Sequence, residues 1–189
     1  MTVSIKRLTT AEFQLLAPRL VDIHLEAMGY PFELHARRLE SWRRDTLQPG
    51  FISAIATGPN DVVGVAYGFL SDHNHWWDRQ LRKGMETQGV SEELQREISS
   101  GYFEVTEIHV RPGLHGRGIG RSLLTELLWN VPAPRAVLST PEVAGENNPA
   151  FGLYRSLGFT DLLRDYYYPG DDRPFAVLMC DLPLATPRA

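Results

Sequence analysis

One stretch of the sequence decides the fold prediction, and it reads Val110-Arg111-Pro112-Gly113-Leu114-His115-Gly116-Arg117-Gly118-Ile119-Gly120-Arg121-Ser122. The stretch follows an apolar-alternating segment, 103–110, and opens an amphipathic helix. Gly116, Gly118 and Gly120 let the backbone approach a ligand closely, because glycine has no Cβ. Backbone N–H groups at a helix N-terminus attract anions. The stretch therefore predicts a site for a phosphate or a pyrophosphate.

Two common phosphate-binding loops do not fit this spacing. In a P-loop, Lys and then Ser or Thr follow the second glycine of a G-x4-G pattern, but here Gly118 is followed by Ile119. In the dinucleotide fingerprint G-x-G-x-x-G, the third glycine would stand at Arg121. The loop therefore belongs to another class of phosphate-binding loop.

A second informative block lies downstream and reads Asn147-Asn148-Pro149-Ala150-Phe151-Gly152-Leu153-Tyr154-Arg155-Ser156-Leu157-Gly158-Phe159. Asn148 and Pro149 form a typical N-cap and first-turn pair. Gly158 is typical of the position just after a helix, and Phe159 can fold back on the last turn. The block therefore predicts a short helix.

The two blocks together resemble the Gcn5-related N-acetyltransferase (GNAT) family. The first resembles the acyl-coenzyme A loop Q/R-x-x-G-x-G/A of that family, with His115 in place of Gln or Arg. The second resembles its Asn-(x)n-Ala-x3-Tyr-x3-Gly-Phe helix. The resemblance is good over about residues 102–180 and holds only in outline before them.

The resemblance implies the acyl-CoA N-acyltransferase fold, an α+β architecture with a central, mixed, mostly antiparallel sheet and helices on both faces. We expect a single domain over residues 1–189, with an insertion at about 71–100 between the third and fourth strands. The insertion is either a wall or lid of an acceptor pocket, or a packed helical excursion or dimer contact. The patterns predict strands at 3–8, 51–56, 62–70, 103–110, 136–140, 161–168 and 175–182, and helices at 10–28, 34–46 and from 119.

Composition predicts a soluble globular protein with a cytoplasmic location. The chain has 189 residues, 43% hydrophobic, with no long apolar run and no signal-peptide pattern. Its single cysteine, Cys180, cannot form an internal disulfide. A net charge of −4 without a basic stripe disfavours nucleic acid as a partner, and we expect no membrane partner. His73 and His75 are only two neighbouring ligand candidates, so we predict no metal.

The family resemblance implies acetyl-CoA as cosubstrate. Its pyrophosphate would lie on the amides of residues 116–121, and its pantetheine would run along Ile108 to Val110. The Val110 N–H would then face the thioester oxygen. The expected cofactor-binding residues are Ile108, His109, Val110, His115, Gly116, Arg117, Gly118, Ile119, Gly120, Arg121, Ser122, Asn147 and Tyr154.

Four residues are candidates for proton transfer. The family places a base at one of the positions that match Glu104 and Glu107, which strand alternation sends to opposite faces. Each of these two carboxylates is either that base or an acidic side chain of the strand that is solvated or paired with another residue. Tyr154 matches the family tyrosine that protonates the departing thiolate, and its alternative role is a core aromatic. His109 is a further proton carrier or a packed histidine.

These residues predict an enzyme that acetylates a primary amine of a small molecule by direct attack in a ternary complex. A protein or peptide acceptor is one alternative. A non-catalytic acyl-CoA sensor is another. A homodimer is an option that the sequence leaves open.

Overall fold

The computed structural model describes residues 2–184, which fold into seven strands and six α-helices. The strands are β1 (Ser4–Leu8), β2 (Ile52–Thr57), β3 (Val62–Leu70), β4 (Phe103–Val110), β5 (Arg135–Pro141), β6 (Thr160–Tyr167) and β7 (Pro174–Asp181). The helices are α1 (Thr10–Met28), α2 (His35–Asp45), α3 (Trp76–Thr87), α4 (Glu92–Ser99), α5 (Ile119–Leu128) and α6 (Pro149–Ser156).

The strands form one sheet in the order β1-β2-β3-β4-β5-β7-β6. The sheet is mixed, because β4 and β5 are parallel while β1–β2, β2–β3, β5–β7 and β6–β7 are antiparallel. The predicted α+β fold with a mixed, mostly antiparallel sheet is thereby confirmed. No helix among residues 2–184 is long and apolar enough to cross a membrane.

Contacts divide the chain into two compact units. The first contains residues up to 69 and residues 106–129, and the second contains residues 70–105 and the chain from 130 onward. Strand β4 contributes its first three residues to the second unit and its last five to the first. The two candidate carboxylates on β4, Glu104 and Glu107, therefore belong to different units.

The core of the first unit forms around α1. Thr9 begins this helix with a capping box, in which its hydroxyl accepts from the Glu12 N–H and the Glu12 carboxylate accepts from the Thr9 N–H. Gly29 ends the helix at φ +64°. One face of the helix is fully buried, with Phe13 in contact with Trp42 of α2 and Tyr67 of β3. This packing fixes α1, from which His24 projects.

Helix α5 packs onto the same unit with one apolar face, as expected of the amphipathic helix predicted from residue 119. Its buried residues are Ile119, Leu123, Leu124, Leu127 and Leu128. A Cβ at Gly64 of β3 would lie 3.0 Å from Leu123 Cδ1 and 3.1 Å from the His109 carbonyl oxygen. Glycine at this position therefore allows close approach of β3, β4 and α5.

The predicted insertion, residues 71–100, forms α3 and α4 in the second unit. Leu81 and Met85 of α3 are buried in a cluster with Val137 of β5 and Leu163 of β6. A Cβ at Gly84 would approach Leu163 Cδ1 to 2.5 Å, so α3 lies tightly against β6. The structure thus shows a packed helical excursion. A role of these helices in acceptor binding stays a prediction.

Candidate active site

The glycine loop after β4 has the backbone conformation that requires glycine. Gly113, Gly116 and Gly118 have φ values of +79°, +75° and +77°. Among the described residues, no heavy atom lies within 4 Å of a Cβ built at Gly116 or Gly118. Glycine is therefore needed here for its positive φ rather than for lack of space. The side of the loop where a Cβ would stand is open.

Gly118 is the N-cap of α5, and the Ser122 N–H donates to its carbonyl at 3.0 Å. This is the first hydrogen bond of the helix, so the preceding amides have no acceptor within the helix. Residues 116–118 are exposed. The positive end of the helix dipole and these amides together can hold a phosphate group.

Two side chains hold the start of the loop in place. The Arg111 guanidinium donates to both carboxylate oxygens of Glu26 at 2.6 and 2.7 Å and to Asp61 at 3.2 Å. His115 donates from Nε2 to the Val110 carbonyl oxygen at 3.2 Å. The sequence predicted His115 as a cofactor-binding residue, and the structure adds this bond back to the strand.

A polar cluster of three residues lies in the first unit, where α1 meets β4. His109 Nε2 lies 2.5 Å from Glu107 Oε2 and 2.9 Å from His24 Nδ1. His24 Nδ1 lies 3.6 Å from Glu107 Oε2. Glu107 and His109 are two residues apart on a strand and so share a face. Glu107 and His109 were predicted from the sequence as candidate site residues, but their contact with His24 was not.

Burial and mutual contact set the charges of this cluster. Burial lowers the pKa of His24 to about 4, against a smaller opposing effect of the Glu107 charge. Burial alone would raise the pKa of Glu107, but the hydrogen bond with His109 and the nearby charges, including Arg38, lower it overall. At neutral pH Glu107 is therefore an ionised carboxylate beside a neutral His24. Such a carboxylate can accept a proton.

Glu104 has different surroundings, in the second unit. Its side chain is buried, with Oε2 3.7 Å from His75 Nδ1. Glu104 and Glu107 therefore have separate sets of partners. The assignment of either residue as a base stays a prediction.

Helix α6 begins and ends as predicted. The Asn148 side chain accepts from the Phe151 N–H at 2.8 Å, and Gly158 has a φ of +87°. Tyr154 is 6% exposed, and its ring centroid lies 5.8 Å from that of Phe159. Asn147 is exposed and follows a short 3-10 turn, Ala144–Glu146. Tyr154 therefore lies within helix α6, and Asn147 lies in the segment that leads into it.

An ion-pair network that sequence reasoning missed holds this region of the second unit. Arg164 donates to both oxygens of Glu142 at 2.6 and 2.7 Å, and Arg155 donates to Glu146 at 2.5 Å. Arg155 also pairs with Asp161. The hydrogen bond from Arg164 lowers the pKa of Glu142. The network connects the segment before α6 with α6 and β6.

A second missed cluster surrounds Asp78, which is 1% exposed. Its carboxylate accepts from Arg82 Nε and from the Tyr102 hydroxyl, each at 2.9 Å. His73 Nδ1 lies 3.3 Å from the same carboxylate, and His75 lies near Glu104 instead. The two histidines that the sequence analysis weighed as metal ligands therefore have different acidic partners.

A strand leads through a left-handed glycine loop into a helix N-terminus here, as expected from the resemblance of this segment to the acyl-CoA loop of the GNAT family. Residues 17–159 match the sequence profile described as the Acetyltransferase (GNAT) family. The chain therefore belongs to the GNAT family, as the two sequence blocks predicted.

Known proteins similar to this chain carry acetyltransferase names. A GCN5-like protein acetyltransferase of Mycobacterium tuberculosis is 42% identical over 132 residues, which are 70% of this chain and 64% of that protein. The ribosomal-protein-S18-alanine N-acetyltransferase of Escherichia coli has a similar structure, with a TM-score of 0.61 and 18% sequence identity. The match covers 100% of this chain and 99% of that protein. An N-acetyltransferase of Thermoplasma acidophilum in complex with coenzyme A gives a TM-score of 0.60 and 12% sequence identity. The match covers 96% of this chain and 99% of that protein. The two structures show similarity of fold.

Proposed function

We propose that the protein transfers the acetyl group of acetyl-CoA to a primary amine by direct attack in a ternary complex. The observation that carries the proposal is the glycine loop at the N-terminus of α5, directly after a strand that holds an ionised carboxylate. Family membership supports the choice of acetyl-CoA as the cosubstrate. The loop amides hold the pyrophosphate.

Glu107, Val110 and Tyr154 each contribute to one step of the proposed reaction. Glu107, directly or through water, takes a proton from the acceptor ammonium, and the neutral amine attacks the thioester carbon. The Val110 N–H stabilises the oxyanion that develops on the carbonyl oxygen. The carbon–sulfur bond then breaks, Tyr154 protonates the departing thiolate, and the proton that the attacking nitrogen loses on forming the amide restores the Tyr154 hydroxyl. The products are the acetylated amine and free coenzyme A.

Glu107 is preferred over Glu104 as the base because of its partners. His109 contacts the Glu107 carboxylate at 2.5 Å and so fixes the position of the oxygen that would accept the proton. An imidazole beside the carboxylate also offers an exit for the proton. Glu104 is proposed to bind or to orient rather than to accept the proton.

The acceptor is proposed to be a protein or peptide amine. The mycobacterial relative that is 42% identical over 132 residues is called a protein acetyltransferase, and this supports that choice. Since this chain covers 64% of that relative, its acceptor does not follow from the name alone. The second candidate acceptor is a small-molecule amine.

A cavity in the first unit supports a cationic acceptor. Its volume is about 500 Å³, and its lining includes the carboxylate of Asp22, the rings of Tyr30 and Phe32, and Glu26 in its ion pair with Arg111. Carboxylates and aromatic faces attract ammonium and guanidinium groups. Comparing kcat/KM for N-terminal peptides, lysine peptides and small polyamines decides between the two acceptor classes. A small amine that exceeds every peptide by tenfold or more would contradict the protein acceptor.

The loop assignment is tested by Gly118→Val. A β-branched residue is strained at a φ of +77°, so the amides lose their alignment and acetyl-CoA binds at least about tenfold more weakly. His115→Ala is the comparison variant, because it removes one side-chain hydrogen bond to Val110 but no loop amide, and its affinity should change less than that of Gly118→Val. Calorimetry on both folded variants measures the difference. Equal affinity of Gly118→Val and the unsubstituted protein would contradict the loop assignment.

A further inference from the structure

Three metal-binding atoms converge where α1 meets β4. His24 Nδ1, His109 Nε2 and Glu107 Oε2 form a triangle with sides of 2.5, 2.9 and 3.6 Å. A point equidistant from all three lies about 1.8 Å from each, in their plane. A cation about 1 Å out of that plane lies about 2.0–2.1 Å from each atom, which is the usual zinc-to-ligand distance. The triangle therefore has the size of a metal site.

Proton sharing accounts less well for the same geometry. His109 Nε2 has either one N–H or one lone pair, yet it has two polar contacts, at 2.5 and 2.9 Å. One proton must then serve both Glu107 and His24. His24 is 2% exposed, and its other nitrogen, Nε2, is buried without a hydrogen-bond partner among the described residues. Hydrogen bonds alone thus leave His24 Nδ1 with a share in a single proton at a buried position, whereas an ion would use its lone pair directly. The second nitrogen, Nε2, is affected by neither arrangement.

We propose that His24, Glu107 and His109 form a binding site for a divalent transition-metal ion, with zinc as the ion that these ligands fit best. Two imidazoles and one carboxylate are a known zinc ligand set that leaves a position for a further ligand. Magnesium and calcium prefer oxygen ligands alone. These are the only three described residues that form such a group of His, Cys, Asp and Glu side chains.

The surroundings hold the ligands in place. Trp42 lies parallel to the His109 ring, at 14° and 6.4 Å between centroids, and its centroid lies 5.5 Å from that of His24. Packed rings lose little freedom when an ion binds, which favours affinity. The charge of Arg38 reaches the cluster and weakens binding of any cation relative to the three ligands alone.

A bound ion would change what the Glu107 carboxylate can do. It replaces the proton of His109 and occupies a lone pair of Glu107, so Glu107 cannot accept a proton while the ion is present. A bound ion and proton transfer by Glu107 therefore exclude each other at any one time, so acetylation is measured on chelator-treated protein, whereas metal counting needs no activity readout. The test of metal binding can therefore succeed or fail separately from that of the proposed function.

The test measures metal in purified protein without a histidine tag. The protein is stripped with a chelator, reloaded with zinc and desalted, and the metal is counted by mass spectrometry. We expect one tightly bound zinc per chain, and cobalt(II) in its place should give visible absorption bands of a low-coordinate site. Glu107→Gln and His24→Asn should each lower zinc affinity at least about tenfold. Because His24 is buried, Glu107→Gln serves if His24→Asn does not fold.

His35→Gln is the control variant, since His35 lies in the same unit and contacts Asp22 and the Pro18 carbonyl instead. It should bind zinc as the unsubstituted protein does. No tight zinc after reloading would overturn the proposal. So would unchanged zinc affinity in folded Glu107→Gln, or a loss of binding in His35→Gln equal to that in the ligand variants.

Discussion

Glu107 in the first unit and Asp78 in the second are two largely buried carboxylates with different kinds of neighbours. Asp78 accepts from Arg82, which keeps its charge at any ordinary pH, and from the Tyr102 hydroxyl. Glu107 contacts two imidazoles, His109 and His24, which can gain and lose protons. A carboxylate fixed by arginine stabilises a fold. A carboxylate fixed by histidine can take part in proton transfer.

Glu107→Gln should have the largest effect on the acetylation rate. Removing a positioned base typically costs about 10²–10⁴-fold, and the loss should be greatest at low pH, where the acceptor amine is protonated. Acetyl-CoA affinity should not change. The measurement is the pH profile of kcat for the metal-free protein. Glu104→Gln is the matched comparison, and a greater loss in that variant would transfer the role of base to Glu104.

Tyr154→Phe should lower kcat by a similar factor, about 10²–10⁴-fold, because the thiolate loses its proton donor while the ring keeps its packing. Tyr102→Phe is the control variant, because Tyr102 is a second buried tyrosine and its hydroxyl donates a hydrogen bond to Asp78. It should lower stability with little effect on kcat. If Tyr154→Phe keeps nearly full kcat on a substrate whose chemistry limits turnover, Tyr154 is a core aromatic.

Asp78→Asn tests the structural side of the comparison. It removes charge-assisted hydrogen bonds at a buried site, so the free energy of unfolding should fall by about 1–3 kcal/mol. The partial exposure of Arg82 keeps the loss below that of a fully buried pair. Urea denaturation measures it, with His73→Gln as a control whose exposed side chain should matter little. Unchanged stability would show that the Asp78 cluster does not hold the fold.

Glu142→Gln should show the smallest effect, and a pH-dependent one. Arg164 holds the pKa of Glu142 below its usual 4.5, so its stabilisation is present above that pH and is lost as pH falls through the folded pKa. Because Arg164 is partly exposed, the contribution should be under about 1 kcal/mol. Unfolding free energies between about pH 5 and pH 3 should therefore fall less steeply for the variant. Parallel curves would contradict this role.

Local patterns predicted the elements well. Helix α1 extends over Thr10–Met28 as expected, since Glu12 in its first turn and Gly29 at its end are local signals. Strands β3 and β4 likewise have the predicted bounds. The glycine loop was also predicted, because its spacing is contained within one short segment.

Contacts between distant segments could not be predicted in the same way. His24 lies on a largely buried helix face, and nothing in its neighbourhood on the chain indicates that its ring meets Glu107. Arg164 and Glu142 belong to separate segments whose pairing depends on the fold. The packing of α3 on β6 through Gly84 could not be predicted from the neighbouring sequence either. In the sequence alone, a glycine within a helix indicates only a lower helix propensity.

Release of free thiol from acetyl-CoA, measured with and without an amine acceptor, tests the central claim most directly. The account predicts thiol release that requires the amine, equals the amount of acetylated product, and falls at least about 10²-fold in Glu107→Gln. Tight acetyl-CoA binding without amine-dependent thiol release, across peptides, lysine side chains and small amines, would contradict it. The protein would then be an acyl-CoA-binding module rather than an acetyltransferase.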